Sequence, residues 1–98
     1  MKTEFLMEVG LILEDGESGK RIAGGADPHY STEDLSWLDI AAKEILIQTS
    51  QNSFLFKVKK VDVFIAFTGA LNIGITLEDD AQLEAISVGD KVYKILNQ

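Results

Sequence analysis

Apolar residues recur at every second position along most of this sequence. In the stretch 3–13 they fall at Phe5, Met7, Val9, Leu11 and Leu13. A period of two is typical of a β-strand with one buried face. This spacing predicts a strand over 3–13 with one buried face.

The second half of the chain alternates in two phases. Apolar positions are even-numbered over 54–58 and odd-numbered over 61–67. Because the phase changes at Lys59–Lys60, we expect a turn or a bulge there. The stretch 61–68 is apolar on both faces, which predicts a central strand.

Turn residues divide the remaining strands. The acidic, glycine-containing stretch 14–19 predicts a turn before a short returning strand at 20–23. Residues 71–77 alternate cleanly and are predicted to be half-exposed. A Gly89–Asp90 turn then leads into a last strand at about 91–96.

The spacing changes once, after Ser31. Ser31 is a suitable N-cap and acids follow it in the first turn, where the helix dipole favours them. Four apolar residues have the spacing of one helix face: Leu35, Leu38, Ala42 and Ile45. This spacing predicts a helix at about 32–46. Its end is open, because 45–58 could instead form a hairpin that turns at Gln51–Asn52.

Together these elements predict an α+β fold in a single domain, residues 1–98. One helix would pack on a mostly antiparallel sheet, or a small barrel, of about five or six strands. The short links between strands favour hairpins over parallel crossovers. A chain of this length fits one domain with one core.

The charge is negative and uneven. The net charge is −7, and residues 1–50 hold ten acids and four bases. Such a charge opposes binding to nucleic acid, whose phosphates require clustered lysine and arginine. One basic segment, 54–60, interleaves lysines with aromatic residues, but alternation would place the two kinds on opposite faces. We therefore expect a protein partner, and the charge favours a basic one and disfavours nucleic acid.

Neither export nor membrane insertion is expected. The longest apolar run, Val63–Phe67, is far shorter than the roughly 20 residues that span a bilayer. Glu4 and Glu8 interrupt any apolar stretch of a signal peptide. The chain has no cysteine, so it needs no oxidising compartment. We expect a cytoplasmic protein without membrane contact.

Motifs for cofactors and ions do not fit. A P-loop read over 14–21 would have Glu14 at its first glycine and Arg21 at its magnesium-binding serine or threonine. An EF-hand that began at Asp15 would place Ala26 at its bidentate carboxylate. His29 is the only histidine, so a metal site has no second imidazole ligand. We therefore expect neither a cofactor nor a metal ion.

The segment 21–30, RIAGGADPHY, combines turn residues with the only proline and the only histidine of the chain. Tyr30 and Trp37 are predicted to form an aromatic corner beside it, with acids on its rim. Aromatic residues at a surface are common contact points for a partner. The candidate partner-binding residues are Asp27, His29, Tyr30, Glu33, Asp34 and Trp37.

The leading hypothesis is a small acidic interaction module without enzymatic activity, such as an adaptor, an inhibitor or an immunity-type protein. The first alternative is a self-assembling structural subunit, because apolar residues occupy both faces of 5–13 and 54–67. The second alternative is a hydrolase or small-ligand binder centred on His29, which titrates near neutrality.

Overall fold

A computed structural model describes residues 1–17 and 19–96. It consists of antiparallel strands joined by turns and loops. The seven strands of the described residues are β1 (Thr3–Glu8), β2 (Leu11–Asp15), β3 (Gly19–Gly25), β4 (Glu44–Gln48), β5 (Ser53–Ile65), β6 (Leu71–Leu77) and β7 (Lys91–Ile95). Two single-turn 3-10 helices accompany them, Ser36–Leu38 and Leu83–Ala85.

The strands form one sheet that curls back on itself. Their order is β1-β7-β4-β5-β6-β3-β2, and every pair is antiparallel. The sheet closes because Met7 forms a bridge with Ala26, and because the Asp27 N–H donates to the Leu6 carbonyl at 3.0 Å. The strands β1 and β3 therefore meet and complete a small barrel, and β2 extends beyond this closure.

The buried apolar side chains other than Leu71 form a single cluster inside the barrel. Burial of one such aliphatic side chain contributes about 1.5–3 kcal/mol. The side chains with the least exposure come from β1, the residue that follows it, β3, β4, β5, β6 and β7: Leu6, Met7, Val9, Ile22, Ile45, Ile47, Val58, Ile73, Ile75, Leu77 and Val92.

The predicted helix at 32–46 is absent, and the α+β prediction is wrong. Ser31 Oγ accepts hydrogen bonds from the Glu33 and Asp34 N–H groups, but Asp34 Oδ1 then accepts from the Ser36 N–H. Such side chain–backbone turns compete with helical hydrogen bonds. Ala42 has a φ of 65°, which a right-handed helix does not allow. No helix among the described residues has the length and apolarity to cross a membrane.

The hairpin alternative for 45–58 is confirmed. Ile45 and Ile47 alternate into the core from β4 and pair with Phe56 and Phe54 of β5. β-Branched residues favour such a pleated, half-buried position over a helix. The turn is 49–52, where Thr49 Oγ1 accepts hydrogen bonds from the backbone N–H groups of residues 51 and 52.

Other sequence predictions agree with the structure. Within the described residues a turn at 16–17 follows β2, and β3 and β7 cover the strands predicted at 20–23 and at about 91–96. The predicted turn at 14–19 also includes residue 18, which lies outside the described residues. The phase change at Lys59–Lys60 is a register shift between Val58 and Lys60, as a bulge requires. The sheet has seven strands among the described residues, where five or six were expected.

Three predictions of strand burial are wrong. Leu11 and Leu13 point outward, with exposures of 49% and 47%, because the phase changes after the buried Val9, where the chain leaves the residues before β7 and joins β3. β5 is the middle strand of the sheet, as was predicted for 61–68, but its end is exposed at Phe64 and Ile65 and is not buried on both faces. The most buried strand is β6, which was predicted to be half-exposed and lies between β3 and β5.

Candidate functional site

Three aromatic rings stack in the loop between β3 and β4. The His29 and Tyr30 ring centroids are 4.0 Å apart at an interplanar angle of 35°, and those of Tyr30 and Trp37 are 4.2 Å apart at 20°. Stacked pairs of this kind stabilise their geometry beyond simple burial. We call these three residues, with Asp27, Glu33 and Asp34, the aromatic corner.

Hydrogen bonds hold the two larger rings in place. The Tyr30 hydroxyl donates to the Phe5 carbonyl of β1 at 2.7 Å, and the Trp37 Nε1–H donates to the Ser31 carbonyl at 2.9 Å. Lys94 of β7 donates from Nζ to the Trp37 carbonyl at 2.9 Å and lies 5.4 Å from the Tyr30 ring centroid. Tyr30 is buried and Trp37 packs against the core. The stack is therefore attached to both β1 and β7.

His29 lies between two carboxylates. Its Nδ1 contacts the Asp27 carboxylate, and its Nε2 is 3.6 Å from Glu4 Oε1. The hydrogen bond with Asp27 raises the pKa of His29, burial opposes this shift, and the charges of Asp27 and Glu4 add to it. The Asp27 carboxylate also accepts from the His29 backbone N–H, which is the main reason why its pKa is lowered.

The same groups set the charge of Glu4 and Tyr30. The Tyr30 hydroxyl lies beside the Glu4 carboxylate and is the main cause of its lowered pKa, with Lys94 and His29 adding to the effect. Burial, followed by the Glu4 carboxylate, raises the pKa of Tyr30 well above its ordinary value. Tyr30 is therefore a neutral hydrogen-bond donor at neutral pH.

Glu33 and Asp34 form the exposed rim of the corner. Their backbone N–H groups donate to Ser31 Oγ at 3.1 and 3.0 Å, which fixes the turn that presents them. The backbone N–H of Ser36 donates to the Asp34 carboxylate and lowers its pKa. In the described part of the chain, neither carboxylate forms an ion pair with a cation. Both charges are thus available to an external group.

The chemistry of the corner follows from this arrangement. Because both nitrogens of His29 face carboxylates, its protonated form is the favoured one, and a general base would need the neutral form. Within residues 1–17 and 19–96, no group of three histidine, cysteine, aspartate or glutamate side chains could hold a metal ion. The corner therefore favours a protonated histidine and exposes the two rim carboxylates to solvent.

Four of the predicted corner residues are in contact with one another. The structure brings Asp27, His29, Tyr30 and Trp37 together, and the rim acids lie on the same loop. Trp37 was expected on a helix and lies in a single 3-10 turn instead. Glu4 and Lys94 were not predicted, because they come from β1 and β7 and only the closed sheet brings them to the loop.

A second surface was not predicted as a site. On the outer face of the sheet, Leu11, Leu13 and Phe64 surround a cleft of about 200 Å³ whose floor includes Ala23 and Gly74. This volume is smaller than the about 300–1,000 Å³ typical of small-molecule sites. The only signal in the sequence was the excess of apolar residues on both faces of 5–13 and 54–67.

An ion pair crosses the cleft. The Arg21 guanidinium lies 3.3 Å from Asp62 Oδ2 and passes over Gly74, where a Cβ atom would be 3.1 Å from the Arg21 Nη2 atom. A glycine at this position of β6 therefore gives the guanidinium room to reach across the strand. The pair is about one-third to two-fifths exposed, so its contribution to stability is small.

Comparison with known proteins assigns no function. No protein-family model matches the chain, and no curated protein or solved structure is significantly similar to it. The proposals below therefore depend on the chemistry of the described residues.

Proposed function

We propose that this chain is a non-enzymatic interaction module that binds a basic protein partner through the aromatic corner. Adaptors, inhibitors and immunity-type proteins are the classes that fit. The observation that carries the proposal is the pair of exposed carboxylates, Glu33 and Asp34, next to a stack of rings held by β1 and β7.

Preorganisation supports the proposal. Binding usually costs about 0.5–1.5 kcal/mol for each flexible side chain that becomes ordered. Tyr30 and Trp37 already have fixed hydrogen bonds, and Ser31 fixes the turn that presents the rim acids. A partner would therefore meet a surface whose shape is set before contact.

Long-range charge supports the same partner class. The net charge is −7, and residues 1–50 contribute −6 of it as ten acids and four bases. A field of one sign raises the rate of encounter with a partner of the opposite sign. At the corner itself, Lys94 and His29 offset part of the charge of Glu4 and Asp27, which leaves the rim acids as the attractive groups.

We also propose a location for the protein and rank the other classes of partner and function. We place the protein in the cytoplasm, since a chain without cysteine is compatible with a reducing compartment. The net negative charge disfavours a nucleic acid partner. The His29-centred hydrolase is the less favoured alternative, because Asp27 and Glu4 face both ring nitrogens.

A charge-matched pair of variants tests the proposal with a lysine- and arginine-rich peptide as the probe. The double variant E33Q/D34N keeps the acceptor oxygens but removes two charges, and the control D79N/D80N removes two charges from the turn after β6. Calorimetric titration should show weaker binding for the corner variant and near-unchanged binding for the control. Equal losses in both variants would mean that the peptide responds only to net charge, and the proposal would be wrong.

Self-assembly is a second candidate, and one observation favours it. Large apolar side chains are exposed mainly in two segments, 11–13 and 54–67, which carry Leu11, Leu13, Phe54, Leu55, Phe64, Ile65 and Phe67. Leu11, Leu13 and Phe64 among them line one cleft, and exposed apolar groups that lie together in this way are typical of a surface covered by another protein. A second copy of the chain could provide that cover.

A further inference from the structure

We propose that the outer edge of β2 is a docking site for β2 of a second copy of this chain, about a two-fold axis at Ile12. The inference rests on the second candidate function, self-assembly, and names the strand through which it occurs.

One edge of β2 has no neighbouring strand in the described part of the chain, and we call this the open edge. β2 pairs with β3 on one side, and among residues 1–17 and 19–96 no strand pairs with the other. Just before β2, Val9 is already paired: its N–H donates to the Asp90 carbonyl and its carbonyl accepts from the Gly89 N–H, both at 2.8 Å. The open edge therefore begins at Gly10.

This edge is protected only at one end. Natural edge strands carry charged side chains, above all lysine, or a proline or a bulge that prevents pairing with another chain. β2 contains neither lysine nor proline, and its two acids, Glu14 and Asp15, lie at its C-terminal end. Its outward side chains, Leu11 and Leu13, are about half exposed at 49% and 47%. An exposed apolar edge of this kind is a template for a further strand.

Symmetry restricts the way in which two copies can pair. An antiparallel pair centred on Ile12 places Leu11 opposite the partner's Leu13 and Glu14 opposite the partner's Gly10. Directly opposed side chains in such a ladder have Cβ atoms about 4.5–5.5 Å apart, so the four leucines would cover one another. No acid would face an acid in this register.

The neighbouring registers are worse. A pair centred on Leu13 would place Ile12 opposite the partner's Glu14, so an apolar side chain would face a charge. A pair centred on Leu11 would need Val9 as a ladder residue, but its backbone is already bonded to 89–90. The apolar pattern and the occupied backbone therefore select the Ile12-centred register.

Charge and area predict the strength of this association. Each copy carries −7, so added salt should strengthen self-association by screening the repulsion. Binding of a basic partner should weaken under the same change. Two short edges and four leucines fall below the roughly 1,200 Å² of a stable interface, so we expect a weak dimer.

Cysteine cross-linking tests the register, because the natural chain has no cysteine. L11C and L13C are prepared separately and oxidised with oxidised glutathione, alone and as an equal mixture. We expect the mixture to form the disulfide-linked heterodimer at least about tenfold faster than either variant alone forms its own dimer, because only opposed positions bring Cβ atoms within disulfide range. Faster self-linking of L11C or of L13C, or no preference at all, would overturn the proposed register.

Sedimentation separates failure of the edge from failure of self-assembly. Wild type, L13K and L55K are compared at low and high salt; Leu13 and Leu55 are both 47% exposed, but Leu55 lies on the paired strand β5. We expect wild type and L55K to associate more strongly at high salt and L13K to remain monomeric. Association that persists in L13K would overturn the β2 edge, whereas a monomeric wild type would also overturn the second candidate function.

Discussion

The Tyr30 hydroxyl donates a 2.7 Å hydrogen bond to the Phe5 carbonyl, and this contact ties the loop between β3 and β4 to β1. Tyr30 is only 8% exposed and stacks on Trp37. The one bond therefore fixes a ring on which the geometry of the aromatic corner depends.

Replacement of Tyr30 by phenylalanine should destabilise the protein by about 1–2 kcal/mol, because it leaves a half-buried carbonyl without its donor. Chemical denaturation measures this change. The matched control is Y93F, which removes a hydroxyl that donates to Gln48 Oε1 at an exposed position and should cost less than about 0.5 kcal/mol. Equal losses of unfolding free energy in the two variants would show that the hydrogen bond to the Phe5 carbonyl contributes no more than an exposed one.

Stability should fall as pH rises through the pKa of His29. Folding raises this pKa above its ordinary value of 6.5, so the contribution is complete below the unfolded pKa and disappears above the folded one. The thermal midpoint of the wild type should therefore decrease as pH rises from below 6.5 through the raised pKa of His29, and H29Q should flatten this dependence. Proton NMR titration gives the pKa directly, and a value at or below 6.5 would contradict the Asp27 and Glu4 contacts.

Gly24 should not tolerate a side chain. A Cβ atom there would lie 2.0 Å from the Glu8 carbonyl oxygen, where the backbone of the first strand passes over β3. We expect G24A to lose about 2–4 kcal/mol of unfolding free energy, because the obstacle is backbone and cannot rotate away. G16A is the control, since nothing lies within 4 Å of a Cβ atom in that turn. A G24A variant as stable as G16A would mean that β1 and β3 do not approach in this way.

The sequence predicted the strands better than their packing. The alternation of apolar and polar residues located most strand segments. Burial of one face imposes a period of two, and this period can be seen within a single strand. The alternation failed at Leu11 and Leu13, because the inner and outer faces exchange after Val9, where the chain passes from the residues before β7 to β3. The helix at 32–46 failed because its apolar spacing also suits a loop followed by β4, and only pairing with β5 and β7 decides between them.

The candidate site could be predicted only in part, because the sequence shows local neighbours but not contacts between distant strands. Asp27, His29, Tyr30 and Trp37 are close in sequence, so their neighbourhood was visible without a fold. Glu4 and Lys94 are distant in sequence and join the corner through the pairing of β1 with β7. The leucines of β2 were read as core residues, so the outer cleft could not be predicted from their pattern.

The association rate with a basic peptide should depend strongly on salt. Trp37 is the only tryptophan and lies in the aromatic corner, so its fluorescence reports contact there. In stopped-flow measurements we expect the rate constant to fall at least about tenfold between about 10 mM and about 150 mM salt, because screening shortens the range of the attraction. A rate constant that does not change with salt would contradict electrostatic steering.

The most direct test of the proposed function is chemical-shift mapping of the same peptide on isotope-labelled protein. We expect the largest perturbations at the Glu33 and Asp34 amides and at the Trp37 indole N–H, with small changes at Glu14 and Glu17. Perturbations that are largest at the β2–β3 turn, or spread evenly over all acids, would contradict a binding site at the aromatic corner.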